Sequence, residues 1–377
     1  MMKLTAFRIR NFRSIVDTGW QSLSPDNITC LIGQNESGKT SILEALKVFY
    51  TETISEDVLR SDLSLPDVSC RFSVPEGWLL RITDNPGTEL KELLSGTTHI
   101  ELTRSWLPDL SSVLKVSGTI SQYLDSLEDA WRIYLGDVTV EMEGELRNIS
   151  SLEKALENVN IKEAQVRAKF PDIVSKKKGI ISLFKKKPAE EKPLIVEDQD
   201  LIVELNEILI QKDKLNEELS AKKLIKKAGD TWKTLLDKYN SLENHLGELS
   251  LRLEERHQQL AFLMKLSDED DLVWKNVLND YRITRRDRDI TKAELDRQIA
   301  FSGYIMDGYS EREANIKVNE VIQSYKSQYN SEILGRKYFE YCPVFEVFED
   351  FGSLLPNRID MEDIISGNEK VEGYKAA

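Results

Sequence analysis

Residues 27–50 read NITCLIGQNESGKTSILEALKVFY, and this stretch decides the fold. Residues 33–40 within it form a complete G-x-x-x-x-G-K-[ST] pattern, which is the sequence of a phosphate-binding loop. The apolar run at residues 28–32 predicts a short buried strand before the loop, and apolar residues at helical spacing in residues 41–50 predict a helix after it. This order favours a P-loop α/β fold over a simple glycine turn, which would leave the Lys-Thr pair unexplained.

The chemistry of this loop comes from its backbone as much as from its side chains. Loop N–H groups that turn inward make a concave anion site, and the N-terminus of the following helix adds positive charge. We predict that Lys39 reaches the β- and γ-phosphate oxygens, that the Thr40 hydroxyl ligates Mg²⁺, and that Ser41 contacts the α-phosphate. The predicted nucleotide-binding residues of the loop are Gly33, Asn35, Glu36, Ser37, Gly38, Lys39, Thr40 and Ser41.

The composition describes an acidic globular chain without a predicted membrane span. The 377 residues are 40% hydrophobic and carry a formal net charge of −14. No apolar run approaches the length that crosses a bilayer, the N-terminal segment lacks the features of a secretory leader, and three scattered cysteines suit a reducing compartment. We therefore predict a cytoplasmic location. The acidic balance argues against a general nucleic-acid coat, but it still allows a local basic surface to bind nucleic acid.

Alternating patterns around the loop helix predict strands. The predicted strands cover residues 3–12, 68–74, 78–83, 99–106, 113–120 and 338–351. The strand at residues 3–12 is expected near a sheet edge, and the four strands within residues 68–120 predict a small antiparallel sheet, which we call the β-arm. In residues 99–106 the alternation places Ile100, Leu102 and Trp106 on one face and His99 on the polar one. His99 has no ligand partners nearby, so we interpret it as a solvated histidine rather than a catalytic one.

From residue 121 the pattern predicts long helices. Leucine and isoleucine residues recur at spacings of three, four and seven in residues 201–219, and similarly in residues 242–260. Such short heptad-like runs are typical of paired antiparallel helices. A protruding coiled-coil arm and ordinary amphipathic helices packed on a core both fit the pattern. Gly229 and Gly247 predict interruptions rather than one long rod, and the acidic run at residues 268–271 predicts the start of another helix.

A lysine-rich segment lies between the helical runs. Residues 176–188 read KKKGIISLFKKKP, with six lysines around an apolar centre. One interpretation is a contact with phosphate groups, either of a DNA backbone or of anionic lipid. The other is an exposed loop at the tip of a helical hairpin. The six residues are Lys176, Lys177, Lys178, Lys185, Lys186 and Lys187.

The N-terminal quarter resembles the ABC-type ATPases of the RecF, SMC and OLD (overcoming lysogenization defect) group. Residues 3–15 (KLTAFRIRNFRSI) and residues 33–46 (GQNESGKTSILEAL) carry the resemblance. It implies an N-terminal ATPase lobe that binds ATP and Mg²⁺, with a small β-arm and a long helical, partly coiled-coil-like insertion. It implies that Arg13 lies near the nucleotide, and a surface arginine at a strand end is the alternative. It also implies a head-to-head homodimer that acts on DNA, with a nuclease attached in OLD members.

The chain departs from this family in the residues that hydrolysis needs. Phosphoryl transfer in this fold needs an acidic residue at the end of a second strand. The nearest candidate, residues 194–198 (LIVED), has too few apolar residues before its acids, and no Leu-Ser-Gly-Gly-like signature is evident. We therefore expect the front half of such an ATPase, or a natural short relative of it, in three parts. These are residues 1–120 (ATPase lobe with β-arm), 121–330 (helical insertion) and 331–377 (return to the lobe, ending before the acidic motif).

The sequence thus predicts an ATPase that binds ATP·Mg²⁺ but hydrolyses it weakly, or not at all, as this chain alone. In the leading interpretation, ATP-dependent closure of a dimer is coupled to action on DNA in anti-phage defence. A nuclease or toxin partner would then act in the same protein or in another one. A RecF-like repair ATPase and a nucleotide-binding scaffold that does not hydrolyse ATP are the alternatives.

Overall fold

The computed structural model describes residues 2–26, 28–34, 38–60, 64–169, 196–262, 268–325 and 329–345. The chain divides into two compact units. The first unit comprises residues 1–128, 245–285 and 326–377, and the second comprises residues 129–244 and 286–325. The domain boundaries expected from the sequence, near residues 120 and 330, stay a prediction.

The first unit contains an antiparallel sheet. Its strands are β1 (Lys3–Phe12), β2 (Ile15–Asp17), β3 (Gln21–Ser22), β4 (Asp67–Ser73), β5 (His99–Trp106) and β6 (Ser112–Ser117). They lie in the order β2–β1–β4–β5–β6, and β3 also pairs with β1. All of these pairs are antiparallel, so the predicted antiparallel sheet is confirmed.

In the described part of the chain, three α-helices and a 3-10 helix lie between β3 and β5, and the remaining helices follow β6. They are α1 (Lys39–Thr51), the 3-10 helix Glu56–Val58, α2 (Trp78–Ile82), α3 (Thr88–Gly96), α4 (Thr119–Ala168), α5 (Val196–Ala221), α6 (Lys223–Phe262), α7 (Asp268–Met306), α8 (Glu311–Tyr325) and α9 (Ser331–Phe339). The helix predicted after the loop is present as α1, and the long helices predicted after residue 121 are present as α4 to α7. The acidic run at residues 268–271, expected to precede and cap the next helix, instead forms the first residues of α7.

One face of the sheet carries the core of the first unit. In β5, Ile100, Leu102 and Trp106 are buried, whereas His99 on the opposite face is exposed. Phe49 of α1 and Tyr338 of α9 belong to the same buried cluster as these three residues. The alternation read from the sequence is therefore confirmed in this strand.

Two predicted strands are wrong. Residues 78–82 form the helix α2, which follows Gly77 at φ +66°. Leu79 and Thr83 are buried four residues apart, and the Thr83 hydroxyl donates to the Leu79 carbonyl at 2.7 Å. A spacing of four on one buried side is helical, not extended. The strand expected at residues 338–351 is also wrong where the structure describes it, because Tyr338 belongs to α9; residues 346–351 lie outside the described part.

The expected interruptions at Gly229 and Gly247 are absent, because α6 continues through both. A glycine in a helix interior costs only about 1 kcal/mol relative to alanine, which packing along a 40-residue helix offsets. Gly229 also has a packing role, since an added Cβ would lie 2.6 Å from Cδ2 of Leu146 on α4. Gly229 and Leu146 both belong to the second unit.

The prediction of paired helices is confirmed in both units. In the second unit, Val159 and Val166 of α4 pack with Leu205 and Ile208 of α5. In the first unit, three leucines of α6 pack with two residues of α7; these are Leu246, Leu249, Leu253, Val277 and Tyr281. Within the described ranges, no helix combines the length and the apolar character needed to cross a bilayer.

Candidate nucleotide-binding site

The segment before the phosphate loop is extended into solvent. Residues 28–34 form no strand, and Ile28, Leu31 and Ile32 are 72%, 37% and 95% exposed. The predicted buried strand at residues 28–32 is therefore wrong for this structure. No strand among the described residues pairs with this segment, so its backbone and its apolar side chains lack the neighbours that would bury them.

Gly38 completes the described end of the loop in a left-handed conformation. Its φ is +85° and its ψ is 8°, and it is the N-cap of α1. An added Cβ would make only ordinary contacts, 3.8 Å from Ile15 Cγ1 and 3.9 Å from Ser14 Oγ. Glycine is therefore needed for the backbone angle and not for space. These distances also show that Ser14 and Ile15, at the turn between β1 and β2, lie next to the loop.

The Lys39 side chain folds back over the loop. Its ammonium donates to the carbonyl oxygens of Gly33, at 2.8 Å, and Gln34, at 2.6 Å. Neutral carbonyl oxygens are weaker acceptors for an ammonium than charged phosphate oxygens. Lys39 is therefore held at the loop by contacts that a phosphate group would replace.

The first turn of α1 presents donors and a hydroxyl beside Lys39. The N–H groups at the start of a helix have no acceptor within the helix, and Gly38 has no side chain that would cap them. Thr40 is exposed, whereas Ser41 is buried. The Thr40 hydroxyl is thus the more accessible of the two for a metal ion.

Arg13 connects the turn after β1 to two other segments. It has a φ of +51°, and its N–H donates to the Val58 carbonyl at 2.8 Å. Its guanidinium contacts Glu44 of α1, and its Nη2 lies 2.9 Å from Asp57 Oδ2. A hydrogen bond from the Ser55 hydroxyl and the Arg13 guanidinium lower the pKa of Asp57, against the opposing effect of partial burial.

Three predicted loop residues and the lysine-rich segment fall outside the described part of the chain. Asn35, Glu36 and Ser37 lie outside the described residues, as does the lysine-rich segment 176–188. In the candidate acidic segment 194–198, Glu197 lies within α5 and not at the end of a strand. Among the residues that the structure describes, no cluster of three or more histidine, cysteine or carboxylate groups is arranged to hold a metal ion.

Sequence reasoning missed Arg104, which fixes the far end of α1. Its side chain is 2% exposed. Its Nε donates to the Phe49 carbonyl at 2.7 Å, and its two Nη atoms donate to Ser112 Oγ at 2.9 Å and to Glu52 Oε1 at 3.1 Å. A cation at a helix C-terminus is stabilising because the last carbonyls carry negative partial charge. Arg104 thereby holds α1, and with it the start of the phosphate loop helix, against β5 and β6.

The donors among the described residues fit a nucleoside triphosphate with a divalent cation. A helix N-terminus, one ammonium and one exposed hydroxyl lie together at residues 38–40, and Arg13 lies on the neighbouring turn. These are the donors that phosphate oxygens and Mg²⁺ require. Mg²⁺ also needs further oxygen ligands, which the nucleotide and water supply in such sites.

A comparison with protein families agrees with this description. A family model described as AAA ATPase domain matches residues 2–372. A solved structure of SMC ATPases, from work on their ATP-driven dimerization and DNA-stimulated activation, is 18% identical and aligns with 32% of this chain and 75% of its own. Its TM-score of 0.23 does not establish a shared fold. A comparison with curated proteins gave no match.

Proposed function

The chain belongs to the AAA ATPase domain family, and on that premise we propose that it binds ATP·Mg²⁺ at residues 33–41. The observation that carries this proposal is the position of Lys39. It is the first residue of α1, and its ammonium donates hydrogen bonds to the carbonyl oxygens of Gly33 and Gln34 in the loop. A triphosphate entering this site replaces neutral acceptors by charged ones, which strengthens each hydrogen bond that Lys39 donates.

The proposed roles of the side chains follow from their chemistry. Lys39 binds the β- and γ-phosphates, Thr40 ligates Mg²⁺, Ser41 contacts the α-phosphate, and Arg13 lies close to the terminal phosphate. Gly33, Asn35, Glu36, Ser37 and Gly38 supply backbone donors. When bound, Mg²⁺ neutralises charge on the phosphate oxygens and fixes their geometry.

We expect ATP hydrolysis by this chain alone to be slow. A carboxylate that positions the attacking water must be available to accept a hydrogen bond from it. Glu44 and Asp57, the two carboxylates that contact Arg13, lie within α1 and the 3-10 helix and not at the end of a strand, where this fold holds such a carboxylate. A turnover rate typical of ATPases, lost in Lys39→Ala, would mean that a further carboxylate serves this role.

The finer proposal is that ATP drives closure of a homodimer in the cytoplasm. In a head-to-head arrangement, the exposed loop of one subunit receives groups from the second subunit. The test is sedimentation of the full chain with Mg²⁺ and a slowly hydrolysed ATP analogue. A nucleotide-dependent dimer that Lys39→Ala fails to form supports dimer closure. Nucleotide binding without a change in mass, and without turnover, supports a scaffold that does not hydrolyse ATP.

We further propose that DNA is the partner, contacted by the six lysines of segment 176–188, in defence against phage together with a nuclease or toxin. RecF-like repair is the alternative within this reading. Replacing the six lysines by alanine should weaken binding of duplex DNA and flatten its salt dependence, since each phosphate contact contributes to the slope. The control is replacement of the same lysines by arginine, which keeps the charge. Equal binding by the alanine variant at low salt would rule out this segment as the contact.

A further inference from the structure

The 3-10 helix Glu56–Val58 contacts Arg13, on the turn beside the phosphate loop, and two residues of α6. We propose that it transmits the nucleotide state of the loop to the α6–α7 pair, defined here as residues 246–257 of α6 and 274–282 of α7. This inference rests on the proposed ATP site and adds a regulatory role to it. All the residues concerned belong to the first unit.

The nucleotide side of the connection is Arg13. Its guanidinium binds Asp57 at 2.9 Å, and its N–H donates to the carbonyl of Val58 at 2.8 Å. The same guanidinium contacts Glu44, on the helix that begins at Lys39. Arg13 is thus shared between α1 and the 3-10 helix, and any anion that attracts it competes with both carboxylates.

The helix side of the connection is Glu56, the residue before Asp57. Its Oε1 lies 3.5 Å from His257 Nδ1 and 3.9 Å from Arg256 Nε. The side chains of His257 and Arg256 are only 5% and 11% exposed, so this carboxylate faces two nearly buried nitrogen-bearing groups at one end of α6. Arg256 also lies over the Trp274 ring of α7, 5.3 Å from its centroid. Glu56 therefore contacts α6 directly and is connected to α7 through Arg256.

A second attachment holds the same helices to the sheet. His257 Nε2 lies 3.0 Å from the Pro108 carbonyl oxygen, and Arg282 of α7 donates to Asp109 at 2.9 Å. Pro108 and Asp109 belong to the turn between β5 and β6. This attachment does not involve Arg13, so the helices keep one anchor when the other changes.

Competition for Arg13 supplies the signal. The terminal phosphate of ATP carries more charge than a carboxylate and draws the guanidinium away from Asp57. Because Glu56 and Asp57 are adjacent in a helix of 3 residues, releasing one loosens the other. The α6 end at His257 then loses part of its support. ATP binding is thereby converted into weaker attachment of the α6–α7 pair.

Hydrogen exchange of the full chain, with Mg²⁺ and a slowly hydrolysed ATP analogue as probe, tests this inference. We expect slower exchange in residues 38–51 and faster exchange in residues 246–257. In Glu56→Gln, exchange in residues 246–257 should be fast before nucleotide is added and should respond several-fold less, while residues 38–51 still respond. Glu76→Gln, an equivalent change at an exposed turn, should behave like the natural chain.

The possible results are distinguishable. No nucleotide response in residues 38–51 contradicts the proposed ATP site itself. A response there with no change, or slower exchange, in residues 246–257 overturns the connection and leaves the ATP site standing. Unchanged exchange in β4 and β5 of Glu56→Gln checks that the variant folds. If it does not fold, Asp57→Asn carries the same test, since it breaks the Arg13 contact on the other side of the 3-10 helix.

Discussion

Arg13 Nη2 lies 2.9 Å from Asp57 Oδ2, which joins the turn after β1 to the 3-10 helix after α1. Arg13 also contacts Glu44, so its single positive charge offsets part of the negative charge of two carboxylates beside the phosphate loop. The arginine therefore influences an anion at the loop even before it touches one. Its half-exposed side chain limits how large that influence is, because solvent screens it.

The first prediction concerns Arg13→Ala. This change leaves Glu44 and Asp57 without their cation, and their repulsion should weaken ATP·Mg²⁺ binding about three- to tenfold at low salt. The loss should shrink at high salt, and Arg13→Lys should restore most of the affinity. Equilibrium binding of ATP at two salt concentrations measures both effects. The control is Arg10→Ala, which removes a cation elsewhere on β1 that pairs with Asp67 of β4. An equal loss of ATP affinity in this control would contradict a local role for Arg13.

The second prediction concerns Asp17, which accepts two hydrogen bonds from Arg8 at 3.0 and 2.6 Å. These bonds and one from the Gly19 N–H lower the pKa of Asp17 from 3.8 to about 2. Because the folded pKa is depressed, the stabilising contribution is complete above the unfolded pKa and is lost as the pH falls through the folded value. NMR titration should find this carboxylate still ionised at pH 3, and Arg8→Gln should return its pKa towards 3.8. An ordinary pKa in the natural chain would contradict the pairing.

The third prediction concerns Arg104→Met. The methionine leaves the Phe49 carbonyl and Ser112 without their buried donor, so the free energy of unfolding should fall by about 2–4 kcal/mol. The matched control is Arg71→Met on the opposite face of the same sheet, where the arginine pairs with Glu101 and is 36% exposed; that change should cost at most about 1 kcal/mol. Denaturant unfolding compares the two. Equal losses would mean that Arg104 is not the attachment of α1.

Arg104 also illustrates how much the sequence could predict. Alternation in residues 99–106 correctly assigned Ile100, Leu102 and Trp106 to one buried face, and Arg104 falls on that face by the same period of two. The position was therefore predictable. The partners were not, because Phe49 and Glu52 are about 50 residues away in the chain and only the tertiary fold brings them near.

The loop gives the opposite lesson. Its motif and the helix α1 were predictable because glycine spacing and apolar periodicity are local properties. Burial of Ile28 and Ile32 depends on a neighbouring strand, and no local pattern specifies that neighbour. At residues 78–82 the predicted strand is a helix, and the spacing of four between Leu79 and Thr83 is a local helical signal that the sequence already contains.

The fourth prediction concerns Gly335→Ala in α9. An added Cβ would lie 2.8 Å from the Leu114 carbonyl oxygen and 3.0 Å from Lys115 Cα, both backbone atoms of β6. Displacing either atom would distort the backbone of β6, so the free energy of unfolding should fall by about 1–3 kcal/mol. Gly247→Ala in α6 has open space around its Cβ and should instead raise it by about 0.5–1 kcal/mol. Thermal unfolding of both variants distinguishes steric overlap from a general effect of alanine.

The central claim is that Lys39 binds the phosphates of ATP. The most direct test is the dissociation constant of ATP·Mg²⁺ for the natural chain, for Lys39→Ala and for Lys47→Ala. Lys47 is an exposed lysine about two turns further along the same helix, so its removal changes the net charge equally. We predict binding about ten- to a hundredfold weaker for Lys39→Ala, from the loss of hydrogen bonds to charged groups, and within about twofold of the natural chain for Lys47→Ala. Equal affinity of Lys39→Ala and the natural chain would contradict the account.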